Sequence, residues 1–210
     1  MKLRPDYYFI GADLGRDRDH SAFAVASKVT RALPEVDPVT RAQRKIHLLE
    51  LNHIEQVPTG VRYTRVMNRL AFIVRHLNNA TPYGYKPVSI HVSLDAAGPG
   101  SLATDLVRGL GLGINFHPIV ITGGEESNLL KSGATSVPRK ELLSTLRFLM
   151  ETENLEISPN LQQSESLLRE FAGVKASGTK AKHDDLVIAA ALAAWQATRQ
   201  CKELLKPQRD

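Results

Sequence analysis

Carboxylates stand at the ends of three separate segments of this chain, and together they have the makings of one cation site. Tyr7 to Gly15 is an apolar run that carries Asp13 near its end and then turns at a glycine. Val88 to Asp95 is a second apolar run, ending in Asp95 and followed by the turn Gly98-Pro99-Gly100. The third segment, His183-Asp184-Asp185, opens a long alanine-rich stretch. Hard cations such as Mg²⁺ take oxygen ligands, and a carboxylate or two with substrate phosphates is a common set. Three carboxylates from separate elements could hold two such ions, the arrangement that serves in-line phosphodiester hydrolysis. Each aspartate also has a plain alternative. One after a strand turns its own backbone, and Asp184 or Asp185 before a helix can cap it.

The elements that must position these groups are legible from periodicity. Tyr7 to Leu14 and Ser21 to Ser27 read as strands, and the polar link Gly15–His20 makes them a hairpin. Residues 30–44, with Pro34 and Pro38, read as a surface loop, and Ile46 to His53 as a third strand. Val66, Leu70, Ile73, Val74 and Leu77 recur at helical spacing within residues 61–79. Then come a strand to Leu94, a helix over 101–112 and a strand over 114–121. Residues 123–136 read as a polar loop, and Pro138 suits the start of a helix over 139–153. A short extended piece, 154–159, precedes a helix over 161–171 and the terminal helix from Asp184 to about Leu205. Three strands in succession, then alternating helices and strands, predict an α/β fold whose second half pairs in parallel.

Composition narrows the classes. The 210 residues suit a single domain over residues 1–210, with 42% hydrophobic and 23% charged residues. A single cysteine, Cys201, leaves no disulfide framework and no cysteine-rich zinc site, which fits a reducing compartment such as the cytoplasm. No apolar run approaches a membrane span, and the first residues lack the apolar core of a signal peptide. The formal net charge of +5 permits a polyanionic partner. Basic residues gather at 41–45, at Arg139-Lys140, and at 175–182, where Lys175, Lys180 and Lys182 run into the third acidic segment. Solvated loops explain such clusters equally well.

The order of elements and acids is similar to that of the ribonuclease H-like fold, a mixed sheet of five strands flanked by helices. The details resemble the nuclease domain of phage terminase large subunits. They are Gly11-Ala12-Asp13-Leu14-Gly15 with Asp19 before the next strand, Asp95 before a glycine-rich turn, and Val137 to Leu142. Leu155 to Ile157, Leu167 to Phe171 and the closing His183 to Ala193 complete the pattern, from about Tyr7 to Gln200. This resemblance implies a metal-dependent endonuclease of duplex DNA, from a bacteriophage or prophage and acting in the bacterial host cell. Asp13, Asp95 and Asp185 would hold two Mg²⁺ or Mn²⁺ ions, with Asp184 and His183 as further candidates. Lys175, Lys180, Lys182, Arg139 and Lys140 would meet the DNA backbone.

Family members carry an ATPase motor ahead of the nuclease. No G-x-x-x-x-G-K-[ST] phosphate loop occurs here, so no ATPase domain is expected. A separate packaging ATPase, a small terminase subunit or a portal then stand as the expected partners. The alternatives are a Holliday-junction resolvase of the same fold and a non-catalytic DNA-binding or assembly module. An actin-like ATPase, which also opens with Asp-Leu-Gly, needs two such domains and more chain. His91, His117 and Trp195 fall within apolar elements and read as packing residues.

Overall fold

The computed structural model describes residues 5–15, 19–36, 38–39, 41–79, 88–97, 100–174 and 184–206. His183, Lys175, Lys180 and Lys182 lie outside them. Strand β1 (Tyr7–Asp13) turns back into β2 (Ser21–Val36), which turns again into β3 (Gln43–Val57). Helix α1 (Tyr63–Asn79) leads to β4 (Ser89–Asp95), α2 (Gly100–Gly109) leads to β5 (Asn115–Thr122), and β6 (Asn128–Leu129) and β7 (Thr135–Pro138) follow. Helix α3 (Arg139–Glu151), β8 (Leu155–Ile157), α4 (Ser164–Gly173) and α5 (Asp185–Gln200) complete the order, with a 3₁₀ turn over Lys202–Leu205.

The eight strands among the described residues form one sheet, in the order β6-β7-β5-β4-β1-β2-β3-β8. The meander β1-β2-β3 is antiparallel, while β1 with β4, β4 with β5, β5 with β7 and β3 with β8 are parallel. The five expected strands are present, and three short ones, β6, β7 and β8, extend both edges. The surface-loop reading of residues 30–44 needs correction. Most of that segment continues β2 and β3 as a long ribbon, with a register irregularity between Ala32 and Val36 that accommodates Pro34. The segment 123–136 likewise contains β6 and part of β7.

Two apolar layers cover the sheet. Ile10, Ala12, Phe23, Val25, Val92 and Leu94 face α1 and α2. Phe9, Ala22, Ala24, Ala26, Leu49 and Leu51 face α3, α4 and α5. Successive strand residues point to opposite faces, so this division fixes where every intervening side chain goes. Helix α5 is buried from Leu186 through Thr198, as befits a helix enclosed between a sheet and other helices. Its alanines let it lie close to β1. A Cβ at Gly11 would come within 1.9 Å of the Ala189 carbonyl oxygen and 2.8 Å of the Ala193 nitrogen. Only glycine fits that crossing.

Candidate active site

The α5 crossing determines what lies at the end of β1. Phe9 and Gly11 face α5, so Asp13, two residues further, faces the same way. On β4, Ile90, Val92 and Leu94 face the opposite layer, so Asp95 also faces α5. Ala12 stands beside Leu94 in the parallel ladder, which makes Asp13 and Asp95 neighbours at the two strand ends. Adjacent strands are about 4.8 Å apart. On the other side of β1, Asp13 pairs with Ala22, and Ala22 with Gln56 of β3. Asp95, Asp13, Ala22 and Gln56 therefore form one row across four strands.

Helix α5 starts over this row. The Gln56 side-chain amide donates to the Asp185 carboxylate at 3.4 Å, which places the helix acid above the row that Asp13 occupies. Gly15 lies hard against Asp19 and His20, since a Cβ on it would meet the His20 and Asp19 carbonyl oxygens at 2.2 and 2.4 Å. The charges of His20 and Asp19 are felt at Asp185. Burial raises the Asp185 pKa first, the Asp184 charge next, and Asp19 adds to it, while His20 and the Gln56 hydrogen bond oppose them. Asp95 closes β4 with a turn in which its Oδ1 accepts from the Ala97 N–H at 3.0 Å.

The two adjacent helix acids part company. Asp184 is 2% exposed and forms an ion pair with the Arg139 guanidinium at the start of α3. It occupies the N-cap position of α5 without a side-chain capping bond. Arg139 is thus turned inward beneath α5, whereas Lys140 lies exposed and pairs with Glu125. The helix cap comes from elsewhere. Glu170 on α4 accepts from the Leu186 and Val187 N–H groups at 3.0 and 3.4 Å. Burial raises its pKa, those amide bonds pull it down, and the charges of Asp185 and Asp184 raise it further. No sequence rule assigns that role to Glu170, because α4 and α5 meet only in the folded chain.

The donor set at this edge is oxygen-rich, which suits a hard divalent cation rather than zinc or copper. Among the described residues no three His, Cys, Asp or Glu side chains close into a ligand group. Asp185 is engaged by Gln56 and Asp95 by its turn, so the acids share a face and an edge without being drawn to one point.

His91 and His117 lie away from this edge. His91 is 5% exposed and lies nearly coplanar with His117, ring centroids 5.3 Å apart, with its Nδ1 3.1 Å from the His117 Nε2. Trp195 is 3% exposed and donates to Glu141 at 2.7 Å. The histidine pair and the tryptophan are packing residues, as their sequence context implies.

A mixed sheet opening with an antiparallel meander, crossed by a late helix and flanked by helices on both faces, defines the ribonuclease H-like class. Within it, the chain is similar to terminase large-subunit nuclease domains. The large terminase nuclease from thermophilic phage G20c matches at 25% identity and a TM-score of 0.51, over 93% of this chain and 85% of that one. The human cytomegalovirus terminase nuclease domain, soaked with Mn, shares the fold at 13% identity and a TM-score of 0.56, over 95% and 86% of the two chains. The HK97 bacteriophage large terminase shares it at 11% identity and 0.51, over 94% of this chain and 41% of that one. No family model matches the sequence. No curated protein matches it either. No helix among the described residues is long and apolar enough to cross a membrane.

Proposed function

We propose that this protein is a metal-dependent endonuclease that hydrolyses phosphodiester bonds of duplex DNA, in the manner of the nuclease that trims concatemeric viral DNA during packaging. The placement of Asp13 beside Asp95, on adjacent parallel strand ends beneath the start of α5, carries this reading. The likeness to the G20c nuclease over most of both chains supports it.

Asp13, central in the row, is the proposed bridge between two ions, with Asp95 on one and Asp185 completing the set from the helix. Asp185 rather than Asp184 is the helix ligand in this reading, because Arg139 already neutralises Asp184. Bound Mg²⁺ or Mn²⁺ would supply acidification of a water and stabilisation of the leaving oxygen. The chain's own part is to orient and crowd the carboxylates. Gly11 lets α5 lie against β1, Gln56 holds Asp185 over the row, and Glu170 satisfies the amides that open the helix. His183 is a further proposed ligand, and Lys140, Lys175, Lys180 and Lys182 are proposed phosphate contacts. A host-cell site of action, and a packaging motor, small terminase subunit or portal as partners, belong to the same reading.

Supercoiled plasmid incubated with Mn²⁺, Mg²⁺ or EDTA tests it. Cleavage is expected with metal and none with EDTA. Asp13→Asn keeps the shape of the site and removes its central charge, so cleavage should fall more than about 100-fold, beyond what losing a supporting group costs. Circular dichroism should show the fold retained. Cleavage that persists in EDTA, or at an undiminished rate in Asp13→Asn, refutes the metal mechanism.

A further inference from the structure

Helix α1 lies on the sheet face opposite α5, and its outward side carries a pattern that the acidic site does not explain. Residues 61–79 contain four arginines, Arg62, Arg65, Arg69 and Arg75, and no acidic residue. The buried side of α1 is Val66, Met67, Leu70, Ala71, Ile73 and Val74. Diametrically opposite, Arg65, Arg69, Phe72 and His76 follow one another at spacings of four, three and four, which aligns them in one stripe. Arg62 extends the stripe beyond the first turn.

Phe72 is 57% exposed, a poor place for a large apolar ring unless it serves its neighbours. The Arg69 guanidinium lies 5.0 Å from the Phe72 ring centre, and the His76 ring is nearly parallel to it at 6.3 Å. Arg69 is further held by Glu55 through two hydrogen bonds of 2.7 and 2.6 Å. Arg62, Arg65 and Arg75 make no ion pair among the described residues, and all three are exposed. The first turn of α1 has no acidic residue, so Arg65 and the preceding Arg62 oppose the helix dipole. This is a face suited to a polyanion and ill suited to an isolated helix.

Its position gives the polyanion a path. The Tyr63 hydroxyl donates to the Gly15 carbonyl at 2.9 Å, which fixes the start of α1 to the turn two residues after Asp13. From Arg62 to His76 a helix rises about 21 Å, roughly the axial length of six base pairs at 3.4 Å per step.

We propose that the Arg62-Arg65-Arg69-Phe72-His76 stripe is a backbone-binding track for duplex nucleic acid, leading away from the acidic edge. Arg62 and Arg65 meet phosphates nearest the site, and Arg75 flanks the track. Phe72 keeps Arg69 and His76 extended along it. This inference rests on the endonuclease reading for its direction from the site, but not for the binding itself.

Anisotropy of a labelled 30-base-pair duplex in EDTA, over a salt series from 50 to 200 mM KCl, tests the track. Arg62→Gln/Arg65→Gln should bind more weakly, with a salt slope shallower by about 0.9 for every phosphate that is no longer neutralised. Arg147→Gln/Arg169→Gln removes the same charge from α3 and α4 and should leave the slope near that of the unaltered protein. An unchanged slope in the first variant, or an equal drop in both, overturns the track. An unchanged slope would leave the stripe to an acidic protein surface. Melting curves confirm that both variants fold. Plasmid cleavage in Mn²⁺ keeps the two readings separate. Cleavage with an unchanged slope sinks the track alone, whereas a changed slope without cleavage by the unaltered protein sinks the endonuclease reading alone.

Discussion

One face of β4 carries Ser89, His91, Ser93 and Asp95 toward α5, and the two ends of that face behave in opposite ways. At the Ser89 end, His91 is buried against the Tyr7 and Phe9 rings and meets His117 nitrogen to nitrogen at 3.1 Å. Burial, with the His117 charge in second place, pushes its pKa down to about 4, and burial lowers His117 as well. At the other end, Asp95 and Asp13 remain partly exposed beneath a helix start where burial and like charges raise Asp185. A histidine pair 3.1 Å apart has the outward form of a reactive site, but His91 is buried and burial favours the neutral form of both rings. At the carboxylate edge, burial and the neighbouring Asp184 charge make the ionised form of Asp185 costly. Chemistry is to be sought where charge is retained at a cost to folding, not where titratable groups are merely close.

The strongest test removes the ion pair that roofs the acidic end. Arg139→Ala leaves Asp184, 2% exposed, without its guanidinium, and should cost about 3–5 kcal/mol in urea unfolding. Arg139→Met/Asp184→Leu should regain most of that loss. If Arg139→Ala melts like the unaltered protein, the pair is not what holds Asp184 inward.

The histidine end should show a pH dependence of defined sign. A folded pKa of about 4 lies below the ordinary 6.5, so the unfolded chain binds more protons between those values. The stabilising contribution is complete above about pH 6.5 and is lost as pH falls toward 4, by about 3 kcal/mol at most. Replacing His91 with Phe should flatten urea midpoints measured across that window. A slope that survives the replacement would assign the effect to other groups.

Asp185 should act in the reverse sense. Its folded pKa is raised above 3.8, so the folded state holds the proton more tightly, and stability falls as pH rises from 3.8 through the raised value. Asp185→Asn should therefore raise the urea midpoint at pH 7 while abolishing plasmid cleavage. A lower midpoint at pH 7 would mean that the Gln56 hydrogen bond outweighs the crowding.

The smallest effect is expected at Ser93, midway between the two ends. Its hydroxyl is fully buried and has no hydrogen-bond partner among the described residues. Ser93→Ala should leave stability unchanged or raise it by up to about 1 kcal/mol. A loss of more than that in thermal melts would reveal a bound water that links the two ends.

Much of the fold was legible in the chain. Short apolar runs marked β1, β2 and β4, the spacing of Val66, Leu70, Ile73, Val74 and Leu77 marked α1, and the alanine run marked α5. Pro34 and Pro38 misled, because an irregular two-stranded ribbon tolerates proline where a central strand would not. The short strands β6 and β7 escaped because two to four residues give too little pattern for a period.

The sequence by itself determined which carboxylates stand at element ends, since a strand's length and a helix's start are local properties. Only the tertiary structure decided what each carboxylate does. Asp184 and Asp185 are adjacent in the chain, yet one turns to Arg139 and the other to Gln56. Successive residues at a helix start point about 100° apart, so α5 offers its two acids to different neighbours, and those neighbours exist only once α5 rests on β1 at Gly11.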